Sequence, residues 1–388
     1  MSPRKQKPPA ACPIEERILV LQGGGALGAY QAGVYEELAA AGQAPDWLAG
    51  ISIGAINAAL IAGNPPERRI QRLHDFWETV TSNSAFAQPI APNGELRRLF
   101  NEANATLGVV FGLPGFFTPR VPPAPFQSPN SAGALSFYDT APLRATLEQL
   151  VDFDFLNSGA VRLSVGAVNV CTGNFAYFDS ATQDIDVRHI MASGALPPGF
   201  PPIEIDGAWY WDGGLVSNTP LQYVLDQTGC NRRLIFQVDL FPADGPMPID
   251  LLQANERAKD IRYSSRTRLN TTTALIQQKL AQAARNLASK LPPALLDDPD
   301  LCTLMAASHE PAVTIVHLIH RRMHYETQSK DYEFSRLSMQ DRWQAGRDDM
   351  LYTLNAPEWQ ARVPPQAGCQ IFDLTPHLHT HPHHVDHT

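Results

Sequence analysis

The chain has 388 residues, of which 44% are hydrophobic, enough apolar material for a sizeable core. Thirty lysines and arginines stand against 39 aspartates and glutamates. The net charge of −9 excludes the basic face that nucleic-acid binding requires and argues against general adhesion to anionic membranes.

Residues 1–15 carry Arg4, Lys5 and Lys7 with no apolar run behind them, so they read as a disordered N-terminal segment and not as a secretory signal. Arg17 to Gln22 is a short apolar run before a glycine cluster, the pattern of a buried parallel strand. Leu27 to Ala41 has helical composition, closed by Gly42 and Pro45. Trp47 to Ile51 is a second strand leading directly into Ser52. Ile53 to Ala62 and Glu67 to Val80 are two further helices, separated by Gly63-Asn64-Pro65-Pro66. Strand, glycine turn, helix, strand, helix is the opening of an α/β fold with a mainly parallel central sheet flanked by helices. The longest uncharged apolar stretch, Gly50 to Gly63, is too short to cross a bilayer. A cytoplasmic protein that touches membranes only peripherally is expected.

From Ser82 to Gly133 the pattern dissolves into a variable, lid-like loop. Six prolines lie between Pro114 and Pro129, among Phe111, Phe116, Phe117 and Phe126. A cover over a binding site and a satellite core both fit this composition. Asp139 is placed to cap a helix with Pro142 in its first turn. Val161 to Val170 and Phe175 to Phe178 read as paired strands. Ile203 to Ile205 and Ala208 to Trp211 form a hairpin through Asp206-Gly207. Arg233 to Leu240 is another strand, Asp250 to Leu291 a long amphipathic helix, Val313 to Ile319 a late strand and Asp331 to Leu354 a helix covering it. Six of the twelve histidines fall in the last twelve residues, a solvated tail. The five cysteines, Cys12, Cys171, Cys230, Cys302 and Cys369, form no CxxC pair and read as reduced thiols.

Gly23-Gly24-Gly25-Ala26-Leu27-Gly28 fits G-x-G-x-x-G between a strand and a helix, which is also the dinucleotide fingerprint. That reading needs an acidic residue at the end of the second strand, where this chain has Ser52; Asp46 lies before the strand. In both readings a loop without Cβ atoms turns backbone N–H groups inward at a helix start, where negative charge is favoured. Gly50-Ile51-Ser52-Ile53-Gly54 is a G-x-S-x-G on a strand-to-helix turn, the geometry that exposes a serine nucleophile. Asp212, with Gly213 and Gly214, follows an aromatic strand on a bend that aims its carboxylate.

These three motifs resemble the patatin-like phospholipase family in order and spacing. Two further blocks, Ala192 to Pro202 and Asp212 to Leu221, carry the resemblance, which covers residues 16–241 with 82–133 much less alike. The resemblance implies a Ser–Asp dyad that cleaves fatty-acyl esters of phospholipids or related lipids through an acyl-enzyme. Ser52 would be the nucleophile and Asp212 the proton acceptor. Gly23, Gly24 and Gly25 would form the oxyanion hole, and Gly28, Gly50, Gly54, Gly213 and Gly214 would complete the motifs. It implies a lipid substrate, met at a membrane or lipid surface, and no cofactor. Many members carry Arg or Lys in the glycine loop; here Leu27 stands in it. Residues 242–375 look like the C-terminal helical extension, with a late strand, of a bacterial subset, and 376–388 like a disordered tail. A catalytically silent or regulatory lipid-binding protein, and an acyltransferase using the same dyad, are the alternatives. Asp206 reads as a turn residue and His189 as a structural histidine. His317, His320 and His324 have no cysteine or acidic partner at ligand spacing, so no metal is expected.

Overall fold

Glu16–Leu21 is the first strand, β1, because its branched side chains are buried on both faces. Ile18 and Val20 join one cluster with Trp47, Ile235 and Ile315, while Leu19 and Leu21 join the larger cluster under the main helical layer. In chain order follow β2 (Trp47–Gly50), a short pair β3 (Thr118–Pro119) and β4 (Tyr138–Asp139), β5 (Arg162–Asn169), β6 (Phe175–Asp179), β7 (Ile203–Ile205), β8 (Ala208–Asp212), β9 (Arg232–Asp239), β10 (Ala312–Ile319) and β11 (Cys369–Asp373). The computed structural model describes residues 15–82, 94–129, 131–227, 230, 232–292, 295–307, 312–321, 323, 325–366 and 368–375.

The main sheet has the order β11-β10-β9-β1-β2-β5-β8-β7, with β6 also on β5. The pairs from β11 through to β5 are parallel, and the pairs β5–β6, β5–β8 and β8–β7 are antiparallel. This is the mainly parallel, helix-flanked α/β fold that the sequence pattern indicates. The hairpin at Asp206-Gly207 is present, both residues having positive φ (51° and 83°) as a two-residue turn demands.

Helices α1 (Ala29–Ala40), α2 (Ile53–Ala62), α3 (Pro66–Val80), α4 (Glu95–Phe111), α5 (Ala141–Leu150), α6 (Phe153–Asn157), α7 (Val187–Ser193), α8 (Leu221–Asp226), α9 (Leu251–Ala288), α10 (Pro299–Ala307), α11 (Arg336–Asn355) and α12 (Pro357–Gln360) cover it. No helix among the described residues is long and apolar enough to cross a membrane. Residues beyond 241 complete the sheet through β10 and β11. They also lay α11 along α1, where Arg347 pairs with Glu37 at 2.7 Å and Trp343 Nε1 donates to Glu36 at 2.6 Å.

Three expectations change. The stretch 82–133 contains the 17-residue helix α4, whose amphipathicity is inverted. Arg97, Asn101 and Asn104 point inward, while Leu96, Leu99, Val110 and Phe111 face out at 55–68% exposure. Arg97 docks on α11 through Asp341 (2.9 Å) and Ser338 (3.1 Å), which is why polar residues occupy the inner face. Second, Phe116 and Phe117 are neither satellite nor exposed cover. They are 8–9% exposed members of the main core, and Phe116 packs on Phe76, Phe200 and Phe334 with ring centroids 5.7–6.3 Å apart. Third, Cys171, Cys302 and Cys369 are free thiols but Cys230 is disulfide-bonded, so the reduced set does not extend to it. Cys12, His324, the N-terminal segment as far as residue 14 and the histidine tail lie outside the described residues.

Candidate active site

Sheet register brings the serine and the aspartate together. Gly50 pairs with Val165 on β5, and Ser52 follows two residues later. Asp212, on the other side of β5, pairs with Ala167, also two residues on. Ser52 sits between β2 and α2 with φ 55° and ψ −123°, a strained conformation for a residue with a side chain. The turn is tight enough that a Cβ on Gly54 would collide with the Leu21 carbonyl oxygen. Ser52 N–H donates to Ser193 Oγ (3.0 Å), whose hydroxyl donates to Gly166 O on β5 (2.7 Å). That chain fixes the elbow from below.

Asp212 ends β8 and is 3% exposed. Its main-chain N–H donates to Ala195 O at 3.0 Å, and its Oδ1 accepts Gly214 N–H at 2.7 Å. Burial pushes its carboxyl up from the usual 3.8 to about 6, while the Gly214 N–H and the Ser52 hydroxyl, its hydrogen-bonding partner, pull the other way. Among the described residues no charged group enters this balance. Desolvation makes Asp212 a stronger proton acceptor than a surface carboxylate.

The glycine loop closes the site from β1. Gly23 N–H donates to Asn218 O (3.1 Å), and Asn218 Nδ2 donates back to Gly23 O (2.8 Å). Among the described residues the Gly24 and Gly25 N–H groups meet no protein acceptor, just before the 3-10 turn Gly25–Gly28 and α1. Gly25 has φ 54°, and a Cβ there would strike the Asp331 carbonyl oxygen. Gly23, Gly24, Gly25, Ser52, Asp212 and Gly214 all line one cavity of about 630 Å³. Its walls are largely apolar: Ile53, Ile56, Phe116, Phe117, Leu143, Phe200 and Phe334. Gly28, Gly50, Gly54 and Gly213 do not line it; they serve the turns behind it.

Five contributors escaped sequence reasoning. Ser193 and Asn218 lie inside the recognised blocks, but nothing in composition assigns them a contact. Asp331, Tyr332 and Phe334 line the cavity from more than one hundred residues beyond Asp212, and no local pattern announces it. The residues set aside stay aside. Asp46 accepts Arg17 N–H (2.9 Å), and His189 Nδ1 accepts Asp186 N–H (3.0 Å) in a capping box. His317 and His320 do not line the cavity, and no metal-binding group of His, Cys, Asp and Glu occurs among the described residues.

The chain belongs to the patatin-like phospholipases, a family of lipid hydrolases: the model described as patatin-like phospholipase matches residues 19–225. A second model, described as patatin phospholipase, matches residues 261–366. No curated protein matches the sequence closely enough to count as a relative. Among solved structures the chain is similar to VipD from Legionella pneumophila, at 14% identity over 88% of this chain and 67% of that one, with a TM-score of 0.39. It is similar to the heterodimeric ExoU–SpcU complex of the Pseudomonas aeruginosa type III secretion system (16% identity, 76% and 69% covered, TM-score 0.31). Human GIVD cytosolic phospholipase A2 is a third (12%, 87% and 60%, TM-score 0.36). These are likenesses of fold.

The buried carboxyl has a consequence for stability. Its folded pKa lies above its unfolded value, so its contribution is fully present below about pH 4 and is lost as pH rises through about 6. Asp212→Asn keeps the acceptor for Gly214 and removes the charge. At about pH 8 the variant should be more stable than the parent by on the order of 2 kcal/mol, with the gap closing near pH 4. Chemical denaturation at both pH values checks this; an Asn variant no more stable at the higher pH would show that Asp212 is not desolvated.

Proposed function

We propose that the protein is a serine acyl hydrolase that cleaves fatty-acyl esters of phospholipids or related lipids with Ser52 as nucleophile and Asp212 as base. The observation that carries this reading is a strained, half-buried serine that lines an apolar cavity of about 630 Å³ beside a buried carboxyl with its pKa raised to about 6.

Ser52 Oγ attacks the acyl carbonyl as Asp212 takes its proton. The carbonyl oxygen gains negative charge and is received by N–H groups of the glycine loop. Gly23 N–H is already engaged by Asn218 O, so this task falls to Gly24 and Gly25. Collapse of the tetrahedral intermediate breaks the ester bond, and protonated Asp212 returns its proton to the leaving alkoxide. The acyl group remains on Ser52 with its chain among Phe116, Phe117, Phe200 and Phe334. Water, deprotonated by Asp212, then attacks the acyl carbonyl; the bond to Ser52 Oγ breaks, Asp212 returns the proton to that oxygen, and the fatty acid is released. Leu27 is fully buried and supplies no charge, so the hole rests on backbone dipoles alone.

A lipid surface is the place where substrate is met. Val109 and Phe137 both line the cavity and stand 47% and 56% exposed, and they join its mouth to the outer face of α4 with Leu96, Leu99, Val110 and Phe111. An apolar strip this continuous with a lipid cavity suits interfacial adsorption.

Ser52→Ala should abolish release of free fatty acid, and Asp212→Asn should lower kcat by ~1000-fold with little change in KM. In the parent, kcat/KM should rise with pH as one carboxylate ionises near 6. Asp239 is also pushed up, to about 7, by burial, but it bonds Gln237 and Thr219 outside the cavity. Asp239→Asn should therefore leave that limb in place. Full activity in Ser52→Ala, or a limb that moves with Asp239, would sink the assignment; acyl products other than free acid would indicate transfer to another acceptor.

The paired change Leu99→Ser and Phe111→Ser should cut the rate increase between monomeric and micellar substrate by about a hundredfold, since each removes ~1–2 kcal/mol of apolar burial. Turnover of a short soluble ester should not change. Equal micellar response in variant and parent would remove α4 from the interface.

A further inference from the structure

The glycine loop has no cation of its own, yet one reaches it from the far end of the chain. Arg342, on α11 and 2% exposed, donates from Nη1 to Ala26 O at 3.3 Å and to Glu333 O at 3.0 Å. On the other side of the same residue, Ala26 N–H donates to Asp331 O at 2.8 Å. The peptide groups flanking Ala26, immediately after Gly25, are therefore gripped from both directions by residues 331–342. The grip has its own supports. Arg342 Nε pairs with Glu326 at 3.1 Å. Burial alone would raise the Glu326 carboxyl, but His320, Arg342 and Lys330 together hold it well below its ordinary value. Lys259, on α9, donates to Asp331 Oδ1 at 2.7 Å and to Gln328 O at 2.8 Å, which fixes the turn that presents the Asp331 carbonyl.

We propose that Arg342 and the Lys259-braced turn ending at Asp331 are positioning elements for the oxyanion-binding loop, so that the C-terminal region sets the direction of the Gly24 and Gly25 N–H groups. Neither Arg342 nor Lys259 lines the cavity, so neither touches substrate. Their effect passes through the Ala26 peptide groups. Hydrogen-bond donors help a developing oxyanion only if held where the charge will appear, and a displacement of about 1 Å costs about a hundredfold. Burying a guanidinium is expensive unless its bonds are kept. With Nη2 hydrogen-bonded to no group among the described residues, the cost falls on the Nε bond to Glu326 and the Nη1 bonds to Ala26 O and Glu333 O, which ties the loop position to the integrity of the Glu326–Arg342 pair. The proposal rests on the hydrolase reading above and adds a role for residues that reading does not use.

The test uses the full chain and two variants, Arg342→Gln and Lys259→Met, the second at a 25% exposed side chain and milder for the fold. Reactive serine is titrated with a fluorophosphonate, and kcat and KM for a soluble ester are expressed per titrated site. Affinity is then measured for a trifluoromethyl ketone of the same acyl chain, whose serine adduct places an oxyanion in the hole. Expected results are a loss of kcat of about a hundredfold for Arg342→Gln and about tenfold for Lys259→Met. Ketone affinity should weaken in parallel, with KM unchanged. Unaltered kcat per titrated site and unaltered ketone affinity in Lys259→Met, or in folded Arg342→Gln, would overturn the positioning role and leave the hydrolase standing. A parent with no titratable serine would overturn both.

Discussion

A carboxyl held out of water, with no cation beside it among the described residues, is the arrangement on which the rest of this structure depends. Among the described residues the Asp212 carboxyl gains one backbone hydrogen bond, from Gly214, and the proximity of the Ser52 hydroxyl, against the full cost of desolvation. That imbalance raises its proton affinity toward neutrality, which a direct base for serine needs. A salt bridge to the same carboxyl would lower its proton affinity and spoil it for the proposed role of base.

Everything around the pair serves to hold it in that state. The sheet supplies the register, with β5 as the common reference for Gly50 and Asp212. Ser193 ties the elbow to β5, and Asn218 ties the glycine loop to the segment that follows Asp212. Phe116, Phe117, Phe200 and Phe334 line the same cavity as the carboxyl, and in the proposed reaction they receive the acyl chain. In the proposed mechanism one apolar lining would both tune the base and select the substrate class. The inverted helix α4 extends this logic outward: its polar side is spent on Asp341 and Ser338, so its apolar side is left at the cavity mouth.

Much of this was legible in the sequence. Runs such as Ile18 to Leu21 can only be two-sided buried strands, Asp206-Gly207 can hardly be other than a hairpin turn, and the glycines around Ser52 and Asp212 mark bends where chains cross. What escaped depends on distant partners. Helix α4 was missed because its polar residues, Arg97 among them, face a helix more than two hundred residues away, which reverses the usual periodicity. Strand β11 is short, and its identity rests on an edge that β10 provides. Asp331 and Arg342 look like surface charges until the glycine loop is folded against them.

The account stands most directly on the covalent intermediate. Turnover of a long-chain ester should be stopped with acid during the steady state and the protein digested and weighed by mass spectrometry. One fatty-acyl group should sit on the peptide bearing Ser52, and its occupancy should fall with a chase of unlabelled substrate at the rate of turnover. Continued hydrolysis with no acyl group on Ser52, or with the acyl group on another residue, would contradict the central claim.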